Sequence, residues 1–193
     1  MSKLTHADLF SLEQYSRERP AFRARIIEHK KTRQLPLGDH ATLYFEDALT
    51  MQYQVQEMLR IERIFEPEGI QEELDVYNPL IPDGSNWKAT CMVEYDDPEE
   101  RKQMLARLIG IDRAVWLQVE GFDRVRPICN EDLERETEDK TSSVHFMRFE
   151  LSAEMVAGAK AGKPLHAGID HAAYQVECII PEPIRQSLLN DLA

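Results

Sequence analysis

The chain has 193 residues and a mass of 22.4 kDa, and 42% of its residues are hydrophobic while 30% are charged. This length predicts a single domain, and the composition excludes disordered, collagen-like and small disulfide-rich proteins. The formal net charge of −12 disfavours nucleic acids and membranes as partners, because phosphate backbones and anionic lipids are themselves negative.

The cysteines and the N-terminus indicate the compartment. The three cysteines are widely spaced and form no CxxC pair, which favours a reducing environment over a disulfide scaffold or a zinc site. The first twelve residues lack the basic and apolar regions of a signal peptide, and no run of eighteen apolar residues predicts a membrane span. We therefore expect a cytoplasmic protein.

The sequence divides the domain into a helical region, residues 1–80, and a sheet-containing region, residues 81–193. Thr5 and Asp8 have the spacing of a capping box and predict a first helix. Pro20 suits the first turn of a second helix, because its missing N–H group would be unsatisfied there in any case.

Two more helices are predicted before any strand. Residues 35–38, Leu-Pro-Leu-Gly, interrupt the helical pattern. A long third helix is expected over residues 46–65, and Pro67 begins a fourth that ends before Asn78-Pro79.

The pattern changes at Trp87 from helical periodicity to strict alternation, which is typical of half-buried strands. Strands are predicted at residues 87–95, 115–119, 125–128, 144–151 and 172–180. Helices are predicted at residues 98–108, 152–162 and 181–192, and the acidic segment 130–140 as an exposed loop or short helix. The predicted fold is α+β, with an N-terminal helical region packed with a mostly antiparallel sheet of about five strands and additional helices.

Glu62 is the most unusual residue of the long third helix. On a helical wheel it lies near the middle of an apolar arc that contains Ala48, Met51, Val55, Met58, Leu59, Ile61 and Phe65. A carboxylate that faces the core must gain partners or become neutral. Glu62 is therefore predicted to require a partner, provided that the helical phase is correct.

Two roles remain open for Glu62. In the structural one, it pairs with an arginine such as Arg25 or Arg148 and ties the helix to the sheet. In the functional one, it is a ligand or catalytic base in a pocket, with Glu57, Gln54 and a histidine nearby.

The histidines offer further candidates. Alternation places His145 on an apolar strand face, where it is either a hydrogen-bonded core residue or a catalytic group. His40 and His171 lie in predicted loops and are candidate ligand-binding residues. No HExxH or other diagnostic spacing is present, so no metal site and no cofactor are assigned.

Residues 17–33 form a basic segment in an acidic chain. This segment carries a local charge of +5, since it holds seven arginines and lysines against two glutamates. It is either a solvated helix face or a docking surface for an acidic partner. The candidate partner-binding residues are Arg23, Arg25, Lys30 and Arg33.

Several catalytic motifs are missing from the sequence. It contains no GxGxxG after a strand, no P-loop and no GxSxG elbow. Cys91 and Cys178 alternate onto predicted buried faces, where a thiol behaves as a small apolar group rather than a nucleophile.

Three segments carry a family resemblance. They are GDHATLYFE at 38–46, QEMLRIERIFEPEGIQEELDVYNPLIPDGSNWKAT at 56–90, and TSSVHFMRFEL at 141–151. With the closing GIDH at 168–171, they resemble an uncharacterised bacterial family, domain of unknown function 3501, over essentially the whole chain. Genes of this family tend to lie beside rubrerythrin-like and iron–sulfur oxidoreductase genes, so the resemblance implies a redox or peroxide-handling context.

These observations predict a non-catalytic accessory or interaction protein in a redox or oxidative-stress context. Its partner is expected to be another protein or a second copy of the chain. The alternative is a small-molecule- or metal-binding enzyme with a pocket around Glu62.

Overall fold

The computed structural model describes residues 3–131 and 135–193. Its helices are α1 (Leu12–Lys30), α2 (Ala48–Glu62), α3 (Pro67–Tyr77), α4 (Pro98–Arg107), α5 (Ile111–Ala114), α6 (Ala153–Lys160) and α7 (Glu182–Leu189). Its strands are β1 (Gln34–Leu37), β2 (Ala41–Phe45), β3 (Asn86–Val93), β4 (Val115–Val119), β5 (Ile128–Cys129), β6 (Val144–Glu150), β7 (Leu165–His171) and β8 (Tyr174–Ile179). Short 3₁₀ helices occur at His6–Asp8 and Asn78–Leu80.

The strands form two antiparallel sheets. The larger has the order β1-β2-β3-β6-β5, and the smaller has the order β4-β7-β8. The predicted α+β class is confirmed, with one sheet of five strands and a second of three.

One large apolar core lies between the sheets. In β3, Trp87, Ala89, Cys91 and Val93 alternate onto the buried face, as the sequence predicted. Helix α7 covers this core and is anchored by the indole of Trp87, whose Nε1 donates to the carbonyl oxygen of Leu188 at 2.9 Å.

The N-terminal helices pack around two smaller apolar clusters. Tyr15, Phe22 and Ile26 of α1 form the first, and Val55 and Leu59 of α2 join α3 in the second. The hydroxyl of Thr90 on β3 donates to the carboxylate of Glu46 just before α2, which connects this layer to the outer face of the larger sheet.

The prediction of two helices on either side of Pro20 is wrong. Ser11 caps a single helix, since its side chain accepts a hydrogen bond from the backbone of Gln14, and α1 then continues through Pro20 to Lys30. A proline inside a helix removes one backbone hydrogen bond. Burial of Phe22 and Ile26 beyond it offsets that loss. Thr5 and Asp8 do form a capping box, but on the 3₁₀ helix rather than an α-helix.

The prediction that no strand precedes Trp87 is also wrong. Residues 34–37 and 41–45 form the β1–β2 hairpin, so the region predicted to be helical contributes two strands to the larger sheet. Pro36 is tolerated because β1 is an edge strand. Gly38 adopts φ of 73° in the turn, which glycine permits without steric cost.

Strand β7 was not predicted. It contains Ala167, Gly168 and Asp170, which are weak strand formers, and its burial in the middle of the smaller sheet stabilises it instead. The expected loop or short helix at 130–140 includes residues 132–134, which lie outside the described residues. Among the described helices, none has the length and apolar character needed to cross a membrane.

Candidate functional site

A cleft of about 420 Å³ lies between the C-terminal end of α3 and the outer face of β3, β6 and β5. Its wall is largely apolar. The lining residues are Asp75, Val76, Tyr77, Pro79, Leu80, Lys88, Ile128, Glu131, Phe146, Met147 and Arg148. Val76 and Ile128 leave 63% and 44% of their area open to solvent, so the cleft presents exposed apolar surface.

The register of the sheet places two cations side by side in this cleft. Lys88 of β3 pairs directly with Arg148 of β6, and Arg148 pairs on its other side with Ile128 of β5. These three side chains therefore form one row across three adjacent strands. Like charges at directly opposed positions destabilise a sheet unless other groups offset them.

Arg148 has such groups. Its guanidinium donates to both oxygens of Glu131, at 2.9 and 2.7 Å, and also contacts the carboxylate of Glu150. These pairs raise the pKa of Arg148 and lower that of Glu131. The hydrogen-bond donors of Arg148 are thus already engaged by protein carboxylates.

Lys88 has no equivalent partner. Its Nζ donates to the backbone carbonyl of Pro79, and no carboxylate of the described residues lies within ion-pair distance of it. Burial lowers the pKa of the Lys88 ammonium, and the charge of Arg148 lowers it further, although Asp83, Glu131 and Glu150 act in the opposite direction. The cleft therefore holds an amine whose charged form is disfavoured by its surroundings.

This cleft is not evident from the sequence. By alternation, Lys88 and Arg148 fall on the outward faces of two strands that are far apart in the chain, which is the ordinary position for exposed charges. Only the pairing of β3 with β6 makes them neighbours. A cation on each of two outward strand faces was the available signal, but it cannot be interpreted without the register.

The expectation that Glu62 faces the core is wrong. Glu62 is the last residue of α2 and is exposed, beside Ile61, which is 56% exposed. The buried side of α2 carries Met51, Val55 and Leu59, which belong to the predicted apolar arc, together with Thr50 and Gln56. Glu62 lies in the last turn, just before Arg63 ends the helix with φ of 56°, and it does not line the cleft.

The carboxylate of Glu57 links two helices. Its carboxylate accepts hydrogen bonds from Arg19, at 2.7 and 2.9 Å, and from the hydroxyl of Tyr15 at 2.6 Å. Arg19 is the main cause that lowers the pKa of Glu57 to about 2. Glu57 therefore stays ionised and joins α2 to α1.

Gln54, the other predicted companion of Glu62, is half-buried on α2 and does not line the cleft. Gln56, two positions further along α2, is fully buried. Gln56 binds the backbone of Phe10 through both amide atoms, at 2.6 and 3.3 Å, which satisfies a buried polar side chain.

His145 lies where alternation placed it, fully buried on β6 with Met147 and Phe149. Its Nε2 is 2.9 Å from the carbonyl oxygen of Ser142, and its Nδ1 is 3.3 Å from the amide nitrogen of Asn130. Nε2 must donate and Nδ1 accept, so the ring is the neutral tautomer. Burial lowers the pKa of His145, although the nearby Asp112 opposes that change.

His40 and His171 lie apart from the cleft. The ring of His40 stacks on Tyr95 at 4.0 Å, and its Nδ1 is 3.0 Å from the carbonyl oxygen of Glu94. His171, at the end of β7, contacts the backbone of Ile109 and Ala173 through its two ring nitrogens. The structure does not bring either histidine together with Glu57, Glu62 or His145.

The predicted docking residues on the basic segment divide into two groups. Arg23 and Arg25 are exposed on α1 and Lys30 is half-exposed, and none of the three forms an ion pair with any described residue. The prediction that Arg33 is a docking residue is wrong, because its side chain is 2% exposed and forms an ion pair at 2.7 Å with the buried Asp191.

Metal-binding and thiol chemistry receive no support from the described residues. No group of three histidine, cysteine, aspartate or glutamate side chains in residues 3–131 and 135–193 is arranged to hold a metal ion. All three cysteines are free, and burial raises the pKa of both Cys91 and Cys129 to about 12. These thiols are protonated at neutral pH and are weak nucleophiles.

Comparisons with known proteins support the fold and assign no activity. The chain is similar to a protein of unknown function from Burkholderia pseudomallei, whose crystal structure superposes with a TM-score of 0.94 at 48% identity and covers 100% of both chains. A search of curated proteins gave no match. Residues 3–192 match the family described as protein of unknown function DUF3501, and the chain belongs to this family.

Proposed function

We propose that this protein binds a small amphipathic molecule in the cleft between α3 and the outer face of the larger sheet. The observation that carries this proposal is the position of Lys88, an amine without a carboxylate partner among the described residues, in an otherwise largely apolar cleft. The role is binding, which agrees with the absence of catalytic motifs in the sequence.

The size and the walls of the cleft favour such a ligand. Binding sites for small molecules are typically concave and mostly apolar, with a few polar groups that fix orientation, and the cleft lies within their usual range of roughly 300–1,000 Å³. Val76 and Ile128 at its rim would lose exposed apolar area when a ligand enters.

Lys88 sets the polar preference of the site. An ammonium group donates hydrogen bonds and accepts none, so the ligand should carry an acceptor such as a carbonyl, hydroxyl or carboxylate oxygen. Arg148 contributes less, because Glu131 and Glu150 already occupy its donors.

Calorimetric titration with three eight-carbon probes tests the proposal: octanol, octanoate and octylammonium. We expect octanol and octanoate to bind and octylammonium to bind more weakly. Lys88→Met should reduce octanoate affinity about tenfold or more, since it removes one hydrogen bond to a charged group. Lys102→Met, at an exposed lysine of α4, is the matched control and should leave affinity unchanged. Failure of all three probes to bind would overturn the proposal.

A second candidate is the accessory role, in which α1 docks on an acidic protein. It is favoured by the position of Arg23 one turn before Ile27, which is 49% exposed, and by Lys30 one turn after it. This face therefore offers an apolar centre flanked by cations without described partners. The redox or oxidative-stress context and the cytoplasmic location belong to this proposal, in which the free thiols would remain reduced.

A pull-down from lysate of the source cells tests the accessory role. Arg23→Glu combined with Lys30→Glu, which reverses the two cations that flank Ile27, should abolish capture of the partner, while Lys102→Glu should not. Retention of the partner by the double variant would exclude this face. Light scattering would separately show whether the partner is a second copy of the chain.

A further inference from the structure

We propose that the amine of Lys88 forms an imine with an aldehyde or ketone that enters the cleft. This inference rests on the proposed ligand-binding function and names the class of ligand, a carbonyl compound with an apolar body. It assigns covalent capture to the site in addition to binding.

The surroundings of Lys88 are those that activate a lysine as a nucleophile. A lysine becomes reactive when it is desolvated in an apolar pocket or lies beside another cation, because both conditions increase the fraction of neutral amine. Lys88 meets both conditions, since it is half-buried against the walls of the cleft and pairs directly with Arg148 across the strands.

The contacts of the Lys88 Nζ leave this amine free to react. Its hydrogen bond goes to the backbone carbonyl of Pro79, an acceptor that orients the amine without the charge needed to hold it as ammonium. Among the carboxylates, Asp83 has the largest effect on the pKa of Lys88 and raises it. The Asp83 carboxylate, however, accepts hydrogen bonds from the backbone N–H and the hydroxyl of Ser85. The amine is therefore positioned in the cleft and is not neutralised by an ion pair.

The expected reaction is a condensation without any change of oxidation state. The nitrogen lone pair of Lys88 attacks the carbonyl carbon, a C–N bond forms, and the C=O π electrons move to the oxygen. Proton transfer from nitrogen to oxygen gives a carbinolamine, which loses one molecule of water to form the C=N bond. Protons exchange with solvent at the open rim, where Glu131 is exposed.

Reductive trapping with octanal tests this inference on the full chain. Cyanoborohydride would convert an imine into a stable octyl secondary amine, and peptide mapping by mass spectrometry would locate it. We expect Lys88 to be labelled about tenfold faster than the exposed Lys102 at about pH 7. Added octanol should slow labelling at Lys88 by occupying the cleft, and should leave Lys102 unaffected.

Two variants separate imine formation from binding. Lys88→Arg retains a charged hydrogen-bond donor and should bind octanol by calorimetry, whereas Lys88→Met retains only the apolar contacts and should bind octanol more weakly. Neither has an amine at this position, so the rapid labelling should disappear in both.

The two proposals fail in distinguishable ways. Labelling of Lys88 no faster than that of Lys102, while octanol still binds, would overturn imine formation alone. If Lys88 is labelled rapidly but octanol does not slow the labelling, the aldehyde does not react from within the cleft, and the proposed imine formation there is also overturned. If octanol, octanoate and octylammonium all fail to bind, both proposals are wrong.

Discussion

Arg33, three residues beyond α1, forms a bidentate ion pair with Asp191 near the end of the chain. Nη2 lies 2.7 Å from Oδ2 and Nη1 lies 3.1 Å from Oδ1, and the two side chains are 2% and 3% exposed. Arg33 also donates to the backbone of Phe45, Glu46 and Ser187. The pair thus connects the first helix, the β1–β2 hairpin and α7.

Removal of Arg33 should strongly destabilise the protein. Arg33→Met leaves Asp191 buried without its cation, and loss of one partner of a buried pair costs roughly 3–5 kcal/mol. Burial already raises the pKa of Asp191 to about 6, against the opposing effect of Arg33. Urea denaturation should report the lower free energy of unfolding.

The double variant Arg33→Met with Asp191→Leu is the control. Because it removes both charges, its free energy of unfolding should recover a large part of the loss. A double variant no more stable than Arg33→Met would show that packing, not the uncompensated charge, determines the effect.

Glu57 should make stability depend on pH in the acid range. Its pKa is about 2 in the folded protein and near 4.5 in the unfolded chain, so the folded state favours the ionised carboxylate. Its contribution is fully present above about pH 4.5 and is lost as the pH falls towards 2. We expect this contribution to be roughly 1–3 kcal/mol, after allowance for the partial exposure of Arg19.

Urea denaturation at a series of pH values measures the contribution of Glu57 to the pH dependence of stability. Glu57→Gln should have a shallower decline in stability between about pH 5 and 2 than the parent protein. Glu18→Gln, at an exposed position of the same bundle, should retain the parent slope. Equal slopes for Glu57→Gln and the parent would contradict the assignment.

The two tryptophans should respond differently to replacement by phenylalanine. Both are 1% exposed, but Trp87 donates to the carbonyl of Leu188, whereas the indole N–H of Trp116 has no hydrogen-bond partner among the described residues. Trp87→Phe removes one hydrogen bond to the Leu188 carbonyl, which still accepts the backbone N–H of Asp191, while Trp116→Phe removes an N–H that is already unsatisfied. We expect Trp87→Phe to cost about 1 kcal/mol more, the net contribution of one hydrogen bond.

Thermal or urea unfolding of the two variants measures this difference. Each variant is the control for the other, since both exchange an indole for the smaller phenyl ring at positions of equal burial. Trp116 also stacks under the guanidinium of Arg124 at 3.7 Å, an interaction that phenylalanine can partly retain. Equal losses would mean that the Trp87 hydrogen bond contributes little to stability.

Lys88 and Arg148 should have opposite effects on stability although they lie in one row. Lys88→Met removes a like-charge contact and a partly buried ammonium, so the free energy of unfolding should stay the same or rise by up to about 1 kcal/mol. Arg148→Met leaves Glu131 and Glu150 without their shared cation and should lower it by about 1 kcal/mol. Marked destabilisation by Lys88→Met would indicate a structural role for this lysine.

Alternation and helical capping predicted much of the secondary structure. Strand β4 has the predicted ends, β3 and α4 agree to within about two residues, and His145 lies on the buried face of β6. These features depend on neighbours only a few positions away, so the local pattern contains the necessary information. Pro20, Pro36 and Gly168 misled the prediction, because burial and sheet edges offset their unfavourable local propensities.

The candidate site depended on contacts between distant segments. The amphipathic pattern of α2 correctly indicated a buried side with Met51, Val55 and Leu59, but Glu62 is exposed at the last position before Arg63 ends the helix. Similarly, Arg33 is an ordinary basic residue in the sequence and becomes a buried one only because α7 folds over it.

The sequence by itself determined the α+β class, the family, most helices and strands and the inward face of β6, because these follow from composition, motif and short-range periodicity. Tertiary structure alone decided that Lys88 would lie opposite Arg148 beneath α3. The physical reason is that strand register and helix packing are set by the summed burial of distant apolar residues, and this sum determines which polar side chains meet at the surface.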